Sequence, residues 1–316
     1  MRKRCFFTFI IALLTTIRAL AQSAFSGGAG TVDNPFLISN QADLELLAND
    51  VNSRANNYSG KYLKLTQDVQ LSDGTNWQPI GGDSCVFSGI FDGNGHKITN
   101  LFISRPTTNN IGFFGIVSGK GTTIQNIGIE IAPGGVNGNQ FVGGLAGSNL
   151  GTISNCYTKG DVEGDEMVGG LVGYNIFIRN CYASSNVEGN KSVGGLVGIN
   201  FVYINNCFAS GNVEGKDHVG GLVGTSVIGT TNNCYYSSNN AKGIGFSRSD
   251  FEETNTVDTT VIPVSLAKMV TEGLSVMKNL TKDVGNDQWN NGNDNYLPAP
   301  KPFKNASKID IVNDFY

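Results

Sequence analysis

Four cysteines recur along the middle of the chain, at Cys156, Cys181, Cys207 and Cys234. Regularly placed thiols raise metal or redox chemistry, but their spacing lacks the close Cys pairs of a zinc site. A column of small buried thiols is the favoured reading, since free Cys behaves as a small hydrophobe. Glu163, Glu188 and Glu214 recur with the same period. Stacked like charges repel unless diluted or bridged by a cation. With Asp161 and Asp165 nearby, calcium is a weak candidate, set against a simple solvated acidic face. A third series is Tyr157, Tyr182, Phe208 and Tyr235. If Cys points inward these rings point outward, where an aromatic ladder binds sugars or apolar partners. The alternative is that the rings only steady neighbouring layers, or lie under the C-terminal tail. Catalytic chemistry has less to stand on. Asp92 or His96 could serve as a catalytic acid or base, though Asp92 reads more simply as the cap of its own turn with His96 packed beside it. His218 occupies a position held elsewhere by Phe141, Met167 and Ser192. No H-E-x-x-H run and no Gly-rich phosphate loop ending in Lys-Ser/Thr is present.

The elements that position these residues are repeats. Val142-Gly143-Gly144-Leu145-Ala146-Gly147 returns at Val168–Gly173, Val193–Gly198 and Val219–Gly224, in steps of 26, 25 and 26 residues. Each copy then reaches an Asn-Cys-aromatic step, at Asn155, Asn180, Asn206 and Asn233, and the first three close with Val-Glu-Gly. A fixed period of this size marks units that bury their apolar faces only by stacking. The apolar residues are Val, Ile, Leu and aromatics in alternation, interrupted by Gly and Asn every ten residues or fewer, which is strand grammar. The expected fold is all-β, a parallel β-solenoid with short helical caps. At roughly 3.3 Å per residue one coil has a perimeter near 80 Å, and coils stack at about 4.8 Å. Equivalent residues then form columns. Leu145, Leu171, Leu196 and Leu222 make an interior aliphatic column, flanked by glycines that serve where a Cβ clashes or φ is positive. Asn149, Asn175 and Asn200 make one amide column, broken at Ser226; Asn155, Asn180, Asn206 and Asn233 make another. Neighbouring thiols at this stacking distance leave an adjacent-coil disulfide geometrically open.

These residues resemble the bacterial proteins with GLUG repeats, named for a Gly-Leu-any-Gly core. Here that core is Gly144-Leu145-Ala146-Gly147 and its three successors, with Gly112-Phe113-Phe114-Gly115 as a degenerate earlier copy. The resemblance implies a secreted or cell-surface protein, often a large adhesin and in some members an immunoglobulin-A protease. It places no catalytic residue in the repeats. The run from Phe87 to Leu101 also resembles the opening coils of right-handed β-helix proteins, polysaccharide lyases and hydrolases among them.

In chain order, residues 1–21 read as a secretory signal: Met1-Arg2-Lys3-Arg4, an apolar run to Ile17, and Ala19-Leu20-Ala21 before Gln22. That segment carries four of the 22 basic residues and no acidic one, so 18 remain against 26 acidic, a net charge near −8. Such a balance argues against nucleic acid and anionic membrane as partners. No later segment is apolar enough to span a bilayer. Residues 22–60 read as an N-terminal cap, with Asn40 opening a helix near 41–52 whose Leu44, Leu47, Ala48 and Val51 cover the open end of the stack. Irregular leading coils follow at 61–141, with Asp92-Gly93-Asn94-Gly95 as a strong turn. The clean repeats occupy 142–243. Residues 244–316 read as a C-terminal cap and tail, with a helix after Ser265, a closing strand at Trp289-Asn290 and Tyr296-Leu297, and a loose end from Lys301.

The expected function is a non-catalytic exported solenoid, extracellular, at the cell surface or periplasmic, that binds a host or bacterial surface glycan or protein as an adhesin-like module. No cofactor is required beyond the weak calcium site. A carbohydrate-active β-helix enzyme is the alternative, needing paired carboxylates for hydrolysis or a basic or metal cluster for a lyase. A pure spacer is the third.

Overall fold

The computed structural model describes residues 25–237 and 242–247, with short strands at Val261–Pro263, Trp289–Asn290, Tyr296–Leu297, Ala299–Pro300 and Ile309–Asp310. The leader at 1–21 and the helix expected after Ser265 lie outside the described residues. The strand expected near Trp289 pairs antiparallel with Ala299–Pro300, and Tyr296–Leu297 pairs with Ile309–Asp310 inside the segment expected to be a loose end.

The chain winds into a parallel β-solenoid of about 8 turns. Register follows the repeat. Val168 pairs with Val142 and Val193, Val172 with Ala146 and Val197, and Ile178 with Ile153 and Ile204, all parallel. Residues about 25 apart therefore lie above one another. Large apolar side chains fill the inward positions: the leading coils use Trp77 stacked on Phe113, with centroids 5.1 Å apart, and the repeats use Leu145, Leu171, Leu196 and Leu222, all fully buried. The helix Gln41–Asn52 covers the first coil. Asn40 accepts from the Asp43 backbone N–H at its start, and Leu44, Leu47, Ala48 and Val51 join the core with Ile38 and Leu63. Asp43 is itself buried and accepts from Ser26 and Ser39, tying the N-terminal segment to the helix.

The glycines of the repeat serve close approach. A Cβ on Gly198 would stand 2.4 Å from the Met167 carbonyl carbon of the preceding coil; on Gly173 it would stand 2.5 Å from that of Phe141. The positive φ of each corner falls instead on the residue before the repeat's Val: Phe141, Met167, Ser192 and His218, all at 55° to 58°. Such a conformation is costly for bulky residues and persists only where neighbours enforce it. Here the enforcing neighbour is the glycine of the next coil. Three of these corner side chains, and that of Asn110 at the equivalent corner one coil earlier (φ 57°), also meet a side chain in the next coil. Ser148 donates to Asn110 at 2.6 Å, Phe141 meets the Tyr174 ring edge-on at 6.2 Å, the Ser192 and Thr225 hydroxyls lie 2.9 Å apart, and His218 stacks on Phe246 at 4.4 Å.

Both asparagine columns are continuous hydrogen-bonded chains. Asn149 donates to Asn175 and Asn175 to Asn200, each at 3.0 Å, running up the coils. The other runs down: Asn206 donates to Asn180, Asn180 to Asn155, Asn155 to Asn126, and Asn126 to the Asp92 carboxylate. Asn126, Asn155, Asn180, Asn206 and Asn233 sit at positive φ, which Asn tolerates best after Gly.

Candidate functional site

The cysteine column is interior. Cys156, Cys181, Cys207 and Cys234 are fully buried free thiols, and the Cys156 backbone N–H approaches the Cys181 sulfur at 3.4 Å. Burial pushes the thiols of Cys156, Cys181 and Cys207 well above the ordinary value of 9.0, so the nucleophilic thiolate is scarce. The sign for stability follows. A raised folded-state value leaves the folded state fully favoured below pH 9 and erodes it as pH climbs further, when the unfolded thiols ionise first. Cys85 is half-buried. In the native chain, brief alkylation should label Cys85 and spare Cys156, Cys181, Cys207 and Cys234, which react only in denaturant; mass spectrometry of the peptides checks this.

The aromatic column follows the second of its two readings, rings that steady neighbouring coils. Tyr157, Tyr182, Phe208 and Tyr235 occupy outward strand positions in register, yet none is more than 8% exposed. The Tyr157 ring lies over Gly128 of the preceding coil, where a Cβ would stand 2.2 Å from the ring, and Tyr182 stacks on Tyr157 at 5.0 Å and 6°. The rings are spent on joining coils, so they offer no open surface to a ligand.

The glutamates do lie on an exposed column, in register as Glu163, Glu188 and Glu214. They border a shallow cleft of about 420 Å³ that Gly134 and Gly135 also line. Charge there is diluted by amides. Asn186 donates to Asp161 at 3.0 Å and Asn190 donates to Asp165. Among the described residues no three His, Cys, Asp or Glu side chains converge as a metal site would require.

Asp92 closes its own turn by accepting the Asn94 backbone N–H at 2.7 Å, and it also receives Gln125 and Asn126. Both its carboxylate oxygens are thus engaged. His96 turns to Asp68 at 3.1 Å rather than packing beside Asp92, so the two do not form an acid–base pair. His218 sits between Thr225, Asp217 and the Phe246 ring as one member of the corner series.

A surface that the repeat pattern did not single out lies at the corner after the buried Asn column. There the chain takes a different length in each coil: the register partners Thr152, Phe177, Tyr203 and Thr230 follow Asn149, Asn175, Asn200 and Ser226 after three, two, three and four positions. Leu150, Phe177 and Ile228 are exposed there to 43%, 44% and 63%. Tyr174, Phe201 and Tyr203 are half-buried beside them, and Tyr174 stacks loosely on Phe201 at 6.1 Å. Beyond the corner, Phe177 and Arg179 point out while Ile178 is fully buried between them. The backbone beneath is fixed: Asn149 donates to the Phe177 carbonyl at 3.0 Å and Asn175 to that of Tyr203 at 3.1 Å. The segments building this surface, 117–125, 148–154, 174–179, 199–205 and 225–232, contain Lys120 and Arg179 but no Asp or Glu. Acidic residues gather instead in 161–166, 186–191 and 212–217. The varying corner length was the available signal, since it is what makes the repeat steps unequal.

Two consecutive segments, 138–163 and 164–188, match the family model of the GLUG motif. Over 162 residues the chain is 34% identical to the "Putative Gly-rich membrane protein" of Evansella cellulosilytica, a match covering 48% of this chain and 17% of that protein. Over 135 residues it is 35% identical to "Halomucin" of Haloquadratum walsbyi, covering 40% of this chain and 1% of that protein. The chain thus spans less than a fifth of the length of these curated relatives. Among solved structures, the crystal structure of "a putative immunoglobulin A1 protease" from Bacteroides ovatus is similar with a TM-score of 0.60, 21% identity, and coverage of 88% of this chain and 95% of that one. At that identity the likeness is one of fold. The chain is a β-solenoid carrying GLUG motifs. No helix among its described residues is long and apolar enough to cross a membrane.

Proposed function

We propose that this chain is an exported, non-catalytic solenoid that binds a partner at a cell surface, in the manner of an adhesin, through the face around Phe177. The observation that carries this reading is the set of three large apolar side chains, Leu150, Phe177 and Ile228, left exposed on three of four successive coils, where buried amides bond the Phe177 and Tyr203 carbonyls. Contiguous exposed apolar surface marks an interaction site, and a rigid platform loses little entropy on binding. Export is supported by the basic start, apolar run and Ala19-Leu20-Ala21 of the leader. One relative is named a membrane protein, which suits a place at the cell envelope.

The test compares the fluorescently labelled chain with its Leu150→Ser, Phe177→Ser, Ile228→Ser triple variant on epithelial and bacterial cells. Attachment should fall by about tenfold or more, equivalent to 1.4 kcal/mol, with the melting temperature held. Equal attachment of the two folded proteins would reject the face as the binding surface.

A further inference from the structure

We propose that the face carrying Phe177, Tyr203 and Arg179 takes a carboxylate-bearing sugar chain; this rests on the partner-binding reading and narrows it to one ligand chemistry. Phe177 and Arg179 are two positions apart on one strand, both exposed, so their side chains rise from the same face about 7 Å apart. Tyr203 is the register partner of Phe177 one coil on, about 4.8 Å away. Two ring-bearing side chains in register on neighbouring coils offer apolar surface to the C–H face of a pyranose, and their low entropy cost favours recognition.

The charged residues in the segments building this face, Lys120 and Arg179, are both basic. The Arg179 guanidinium has no carboxylate partner among the described residues, although the chain as a whole is acidic. A free planar guanidinium beside rings is the group that grips a carboxylate through two parallel hydrogen bonds. The register neighbours of Phe177, Tyr203 and Arg179 are neutral and polar. Thr152 and Thr230 continue the ring column, and Gln125, Asn205 and Asn232 stand half-buried in the Arg179 column, with Ser154 buried between Gln125 and Arg179. Hydroxyls and amides in rows one coil apart suit the hydroxyls of an extended chain of sugars. An anionic chain would be repelled from the edge bearing Glu163, Glu188 and Glu214, which leaves it this side of the rod. An acidic peptide shares the charge but offers less to the hydroxyl rows, so the sugar is the occupant favoured.

The experiment is calorimetric titration of the purified chain with oligogalacturonate, hyaluronan fragments and sialyllactose, each beside its carboxyl-reduced neutral analogue, and with a poly-glutamate peptide. At least one carboxylated sugar should bind about tenfold tighter than its neutral analogue. Arg179→Gln should erase that difference, Arg179→Lys should restore it only in part, and Phe177→Ala should weaken acidic and neutral forms alike. Unchanged circular dichroism melts confirm that these surface variants fold. Equal binding of acidic and neutral forms, insensitivity to Arg179→Gln, binding of poly-glutamate alone, or no carboxylated sugar bound would each overturn the proposal. If that happens while the apolar triple variant still loses cell attachment, the sugar assignment fails and the binding face stands. If attachment is also unchanged, both fail.

Discussion

Gly198→Ala should destabilise the solenoid by more than about 4 kcal/mol, or prevent folding, because it inserts a methyl where no side chain can move aside. Its Cβ would lie 2.4 Å from the Met167 carbonyl carbon, 2.6 Å from the Val168 nitrogen and 2.7 Å from the Gly173 oxygen. All three are backbone atoms of the coil below. Met167 is already held at a φ of 58°, so relief requires the coils to part and the flanking parallel ladder to break. Val172 to Val197 pairing sits within that ladder, and its hydrogen bonds and apolar contacts would be lost together. Gly82→Ala is the control. Nothing lies within 4 Å of a Cβ there, and its φ is not left-handed, so the change should stay within about 0.5 kcal/mol. Thermal melts followed by far-ultraviolet circular dichroism decide the matter. A Gly198→Ala protein melting with the wild type would show that coil spacing is not set by this contact.

Asn175→Ala should cost about 3 kcal/mol, since a buried amide is removed from the middle of a chain of three. Asn175 is fully buried; it accepts from Asn149 and donates to Asn200 and to the Tyr203 carbonyl. Its loss leaves the Asn200 oxygen and the Tyr203 carbonyl without that donor in a dry interior, and each such orphan costs about 1–3 kcal/mol. The exposed pair Asn186–Asp161 has the same geometry at 3.0 Å, but water replaces it, so Asn186→Ala should cost under about 1 kcal/mol. Urea unfolding of both variants measures the contrast. Because Asn175 fixes the Tyr203 backbone, the platform should also lose affinity for its partner in conditions where the variant remains folded. Equal stability losses for the two variants would mean that burial contributes nothing to the amide chain.

Much of this architecture is legible in the residues. The 25- and 26-residue steps place Cys156, Cys181, Cys207 and Cys234 in one column, and strand parity separates Ile178 from Phe177 and Arg179. The helix at Gln41–Asn52 follows from Asn40 and the spacing of Leu44, Leu47 and Val51. Parity, however, gives direction and not cover. Tyr157 and Phe177 both stand at outward positions, yet only Phe177 is exposed, because Gly128 leaves room for the Tyr157 ring to lie down. Gly128 occupies the ring's own column one coil earlier, a small residue where a large one follows, and that is the clue in the sequence. The strained corners were hidden for another reason. Phe141, Met167, Ser192 and His218 share no chemistry that marks a positive φ; their conformation is imposed by glycines more than 25 residues away.

Those corners carry a consequence for how such a protein can lengthen or shorten. Amide meets hydroxyl, ring meets ring and hydroxyl meets hydroxyl only between particular neighbours, as in Asn110 with Ser148, Phe141 with Tyr174 and Ser192 with Thr225. Excising the turn of the rod that bears Thr225 would set the Ser192 hydroxyl against the Phe246 ring. The windings are therefore numbered, like pages, and a gene that gains or drops one must mend the seam by substitution before the rod closes again.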